Sequence, residues 1–123
     1  MSLTAYRRTN SMTEAPRAAE RRLMTEITAE MIAARDAEGR GQALIEPLHR
    51  NRELWGVFSA TCGAQGNELP KPLRASIISL ALWVDRYTTH VVAGREPIDE
   101  LISVNVAIID GLGALPTQIA AAG

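Results

Sequence analysis

Side chains able to do chemistry are few in this chain, and they are scattered. It holds one cysteine, Cys62, and two histidines, His49 and His90, in 123 residues. The histidines stand far apart and in no metal-ligand spacing, so each reads as a surface or helix-end histidine. Cys62 ends a run of apolar positions, which favours a small buried role over a nucleophilic one. A single cysteine also excludes a disulfide scaffold and a Cys-based zinc site. Glu26 and Glu30 lie four apart on one helix face, yet no Glu-x-x-His pair accompanies them. A di-iron carboxylate site therefore fails, and a solvated face is the plainer reading. There is no G-x-S-x-G elbow, no phosphate-binding glycine loop and no H-E-x-x-H. The residues point away from an enzyme and call for no cofactor and no metal.

Charge leaves binding functions open. The net charge is −1 and the isoelectric point is near 6.1, which excludes a strongly basic nucleic-acid binder and a polyacidic tail. The small net value hides polarity along the chain. Residues 1–22 carry five arginines (Arg7, Arg8, Arg17, Arg21, Arg22) against two glutamates, a balance of +3. Residues 95–123 carry Arg95 against Glu96, Asp99, Glu100 and Asp110, a balance of −3. A basic first helix could meet phosphate or an acidic protein. A solvated helix face is the simpler account, and no aromatic platform interleaves with the arginines to favour RNA.

Composition suits a soluble globular chain: 46% hydrophobic, 22% charged, with five aromatic residues. Its core must be mostly aliphatic and Ala, and at this length one domain is expected. No signal-peptide stretch and no apolar run of membrane-spanning length is visible. The expected location is the cytoplasm.

Apolar spacing is helical throughout and strand alternation is absent. Residues 1–12 read as a flexible N-terminal segment. A first helix is predicted over about 13–38, with Thr13 as cap, Pro16 in the first turn and Leu23, Ile27, Met31 and Ala34 as its stripe; Gly39 and Gly41 end it. The second spans about 43–62, where Leu44, Leu48, Asn51, Trp55, Phe58 and Cys62 form a heptad-like seam. Pro47 implies either a regular start near Glu46 or a kink. Gly63 and Gly66-Asn67 mark the next loop. The third helix, about 70–93, carries Leu73, Ile77, Leu80, Val84, Tyr87 and Val91 on one face, with Ile78, Leu82 and Ala75 on another. A two-faced helix is central to a bundle or lies at a partner interface. Gly94 stops it. The fourth begins at Pro97, with stripes Ile98, Leu101, Asn105, Ile108, Leu112 and Ile102, Val106, Ile109, and closes at Gly111 and Gly113.

The fold class is therefore all-α: a small antiparallel bundle of about four helices over 13–113, with a frayed tail at 114–123, in one domain. Asn51 and Asn105 stand inside otherwise apolar seams. Each is either a satisfied core amide that sets helix alignment or a partner-recognition group. With Trp55 and Phe58 they form the structural seam. Trp83 lies off the main seam of its helix, as a flank of the core or as an interface anchor.

Several blocks carry a family resemblance: Ala5-Tyr6, Pro16-Arg17-Ala18-Ala19-Glu20, Asn51-Arg52-Glu53-Leu54-Trp55 and Asn67-Glu68-Leu69-Pro70. They continue with Leu73-Arg74-Ala75-Ser76-Ile77-Ile78-Ser79-Leu80, Trp83-Val84-Asp85-Arg86-Tyr87-Thr88 and Pro97 through Asn105. Over about residues 3–112 the chain resembles the flagellar biosynthesis regulator FlaF family of α-proteobacteria. The resemblance implies a non-enzymatic cytoplasmic factor needed for flagellin production and export. Such factors act with the translational regulator FlbT and bind flagellin as a secretion chaperone does. Val106 stands where the family leads one to expect a basic residue, and Pro47 interrupts an expected continuous helix.

One mechanism joins both lines. Flagellin's terminal segments become amphipathic helices on assembly, so the free subunit exposes apolar stripes that a helical bundle could cover by helix-in-groove packing. Helical-face reasoning places Trp83, Arg86, Ile78 and Leu82 in the groove, with Arg52 and Arg74 as a polar rim. The expected partners are flagellin and an FlbT-type regulator, with neither membrane nor direct nucleic-acid contact, and homo-oligomerisation is open. The alternative is a post-transcriptional regulator acting on flagellin mRNA directly or through FlbT.

Overall fold

The structure, a computed structural model, describes residues 16–37, 42–64 and 69–122, with side chains between 18 and 111. Four helices follow one another: α1 Pro16–Asp36, α2 Gln42–Gly63, α3 Lys71–Val92 and α4 Asp99–Ala122. No strand occurs among the described residues, and the expected all-α bundle is the one observed. Segment 1–12, Thr13, Gly39, Gly41 and Gly66-Asn67 lie outside the described residues.

α1 starts at Pro16, where the missing N–H has no intrahelical partner to lose. Of its stripe, Leu23, Ile27 and Met31 are completely buried and Ala34 is half-buried, with Met24 buried beside them. α2 begins at Gln42, so Pro47 lies inside the helix rather than in the first turn of one that starts near Glu46. Pro47 forfeits the bond that an N–H there would make to Ala43 O, and its ring is buried in the bundle. Of the α2 seam, Leu48, Asn51, Trp55, Phe58 and Cys62 are buried and Leu44 is half-buried.

α3 has Pro70 at its N-cap and Pro72 in its first turn. It ends in a Schellman motif: Gly94 adopts φ +77, its N–H donates to Val91 O at 3.0 Å, and Arg95 N–H donates to His90 O at 2.9 Å. α4 starts at Asp99, two residues later than the sequence suggests, with Asp99 and Glu100 complementing the positive helix end. It does not close at Gly111 and Gly113 but runs on to Ala122. Gly111 and Gly113 each cost a helix about 1 kcal/mol and Pro116 forfeits one more backbone bond, so local propensity does not explain the continuation.

Two faces part from expectation. On α3, Ile77, Val84 and Val91 are buried while Ile78 and Leu82 are exposed, so α3 is two-faced but not central. On α4, Ile102 is buried whereas Val106 is exposed, so the second stripe only partly enters the core. α1 packs on α2 and α4, and α2 packs on α1 and α3. α3 and α4 meet only slightly. α2 and α4 are thus diagonal across the core, and the side of α3 away from α2 has little cover.

Candidate functional site

Two features stand out: a polar network inside the core and an apolar stripe outside it. The network begins with Trp55, whose Nε1–H donates to Asn105 Oδ1 at 2.8 Å. Asn105 Nδ2 donates to Thr28 Oγ1 at 3.0 Å and to Asn51 Oδ1 at 2.7 Å. Thr28 in turn donates to Met24 O at 2.6 Å. Both asparagines are 0% exposed. Three helices are tied together at their diagonal crossing, as buried amides require if they are not to cost stability. The pattern fixes the orientation of both amides, because reversing Asn51 would set two N–H groups face to face. One atom is left over: Asn51 Nδ2 is buried without a hydrogen-bond partner. Phe58 packs beside this network, its ring centroid 6.0 Å from that of Trp55 and tilted by 55°. Spacing marks Asn51, Trp55, Phe58 and Asn105, but not Thr28, whose residue type is ordinary on a helix.

Outside, α3 presents Lys71, Ala75, Ile78, Leu82 and Arg86 at steps of four, three, four and four, all exposed. Leu82 is 61% exposed and Ile78 36%. Steps of three and four keep these side chains on one stripe. A cation ends the stripe at each side, and neither Lys71 nor Arg86 has an ion-pair partner among the described residues.

The six residues expected to bind a partner do not form one groove. Ile78, Leu82 and Arg86 share the stripe. Trp83 lies on the flank turned toward the α3–α4 turn, half-buried and stacked on Tyr87 at 4.7 Å and 25°. Tyr87 OH donates to Pro97 O at 2.8 Å and ties that turn down. Burial, then Glu96, Glu100 and Asp99, push the Tyr87 phenol up, so it keeps the proton it donates. Arg52 is committed within the bundle: its Nη2 donates to Asp85 O and Thr89 Oγ1, both at 2.7 Å, and its Nε lies 3.1 Å from the Asp85 carboxylate. Arg74 is half-buried at the start of α3, with Nε buried and without a hydrogen-bond partner. The four aromatic residues of α2 and α3 pair within their own helices rather than across the interface.

The remaining polar residues tie the bundle together. Arg50 of α2 pairs with Glu30 of α1, and Arg35 of α1 reaches Asp99 of α4 at 3.0 Å. Glu30 therefore bridges two helices instead of lining a purely solvated face. Arg22 pairs with Glu26 at 3.0 Å, and Arg21 Nε donates to Ile109 O at 3.1 Å. His49 is exposed, 3.7 Å from Glu53, and His90 is exposed near the end of α3. Cys62 is buried, and burial, with Glu20 adding to it and Arg74 opposing, raises its thiol to about 11. The buried thiol stays protonated at neutral pH, which suits a small packed side chain. No group of three or more His, Cys, Asp and Glu side chains placed to hold a metal ion occurs among the described residues. No described helix is long and apolar enough to cross a membrane.

No curated protein and no solved structure matches this chain. The model of one family, described as flagellar protein FlaF, matches residues 2–112. That stretch holds the whole amide network and the whole α3 stripe, and by it the chain belongs to the FlaF family of flagellar proteins.

Proposed function

We propose that this flagellar protein is a non-enzymatic assembly factor of the cytoplasm that binds flagellin, serves as chaperone and regulator of its synthesis and export, and acts with an FlbT-type regulator. The observation that carries this reading is the outer face of α3. Leu82 and Ile78 stand exposed on a domain that buries the other large aliphatic and aromatic side chains of α3 wholly or in part, apart from Val92. An apolar stripe in line on one helix is what helix docking uses. The surface is a convex stripe, so the docked segment lies along α3 rather than inside a groove. Polymerisation segments of a free flagellin subunit, amphipathic when helical, supply such a partner, and covering them keeps the subunit apart from its copies until export.

The rival reading, direct contact with flagellin mRNA, depends on Arg17, Arg21 and Arg22. It has less support, because Arg21 and Arg22 already hold Ile109 O and Glu26. The test is purification of the chain with its candidate flagellin and FlbT-type regulator, with mass measurement of any complex. A defined complex containing flagellin is expected. A chain that stays alone or pairs only with itself, while RNA binding falls with salt and with loss of the α1 arginines, overturns the reading.

A further inference from the structure

We infer that the outer face of α3 selects an amphipathic helix of another protein whose apolar stripe is edged by carboxylates, and that it rejects a second copy of this chain. The inference rests on the docking face proposed above and adds the charge of its partner. Ala75, Ile78 and Leu82 form the apolar middle of the stripe, with Lys71 and Arg86 at its ends. From Lys71 to Arg86 the helix rises about 22 Å, so the cations bracket four turns of a docked helix. The one carboxylate that α3 itself carries, Asp85, is ion-paired with Arg52 at 3.1 Å and adds no unpaired negative charge to the rim. A partner with Glu or Asp beside its apolar positions meets both cations, and one with Lys or Arg there meets repulsion at both ends.

The same geometry disfavours self-pairing in the two registers that overlay the whole stripe. An antiparallel copy centred between Ile78 and Ser79 sets Leu82 against Ala75, and sets Lys71 against Arg86 twice. A parallel copy sets Lys71 against Lys71 and Arg86 against Arg86. Both registers place like charges together at the rim of an apolar contact, which costs rather than stabilises.

The test uses the full chain and two synthetic helical peptides of about 18 residues, enough to span the stripe. They share one apolar face, and one is flanked by Glu, the other by Lys. The Glu-flanked peptide is expected to bind about tenfold more tightly at low salt, a preference that shrinks as salt rises. In the exposed double variant Lys71→Glu, Arg86→Glu the preference reverses, with helix content unchanged by circular dichroism. The wild-type chain stays monomeric by sedimentation at all working concentrations. Equal binding of the two peptides, a preference unmoved by the double variant, or dimerisation abolished by Leu82→Asp overturns the inference. Flagellin capture separates it from the functional reading. Flagellin held on α3 with no charge preference sinks only this inference, and a clear Glu preference with no flagellin bound sinks only that reading.

Discussion

Replacing Asn105 with Leu removes three hydrogen bonds at once, the most that any single side chain of the core network makes. Asn105 accepts from Trp55 and donates to both Thr28 and Asn51. Thr28 keeps its own donation to Met24 O and loses least. Trp55 Nε1 and Asn51 Oδ1 are stranded in a dry site, and each stranded group costs about 1–3 kcal/mol. The apolar replacement returns about 1–2 kcal/mol by burial. The net loss for Asn105→Leu is then about 1–4 kcal/mol, a large fraction of the stability of about 5–15 kcal/mol usual for a domain. Asn51→Leu behaves differently. Asn51 makes one of these bonds and already carries an unpartnered Nδ2, so the change removes an orphan along with a bond. Its expected effect is within about 1 kcal/mol of zero. Urea denaturation followed by far-ultraviolet circular dichroism measures both, with unchanged m confirming that the denatured state is not the cause. An Asn105→Leu loss no larger than that of Asn51→Leu would refute the claim that Asn105 is the hub.

Other predictions follow from single positions. Cys62 in the native chain should resist a thiol reagent at neutral pH and react once urea is added. Its raised thiol pKa contributes stability that is complete below about pH 9 and declines as pH rises toward 11, measured as a falling urea midpoint in buffers across that window. Gly94→Ala forces a side chain into positive φ with open space around it, so the cost is conformational alone: roughly 1–2 kcal/mol, read as a Tm lowered by several degrees. Trp83→Ala, which unstacks Tyr87 beside the α3–α4 turn, should lower the melting temperature, whereas Leu82→Asp on the exposed stripe should move stability by less than about 0.5 kcal/mol.

Much of the fold was legible because helical spacing and burial report the same thing. Every predicted α2 seam member from Leu48 to Cys62 is buried, since each lies on the face that neighbouring helices cover, but the seam omitted Leu54, which is buried beside Trp55. Gly94 was readable as a stop and Gly111 was not. Gly94 takes a positive φ and is followed by Arg95, Glu96 and Pro97, whereas α4 runs through Gly111, Gly113 and Pro116, a continuation that the local sequence does not explain. Spacing also showed that α3 has two apolar faces without showing which would be covered. That depends on how far α4 lies from α3, a tertiary distance that no local pattern carries. Thr28 escaped notice because a helical threonine can satisfy itself on the carbonyl four residues back, as it does on Met24. Arg52 read as a free rim cation, and its commitment to Asp85 and Thr89 depends on the α2–α3 register. Stretches Asn51–Trp55 and Leu73–Leu80 resembled the FlaF family in the sequence and fall within the span its model matches.

The central claim is that α3's outer face is where a partner helix docks. Hydrogen exchange on the full chain, with and without excess monomeric flagellin, tests it most directly. Slower exchange is expected at residues 75–86, with α1 little changed. Unchanged exchange along α3, or protection centred on residues 17–22, would contradict it.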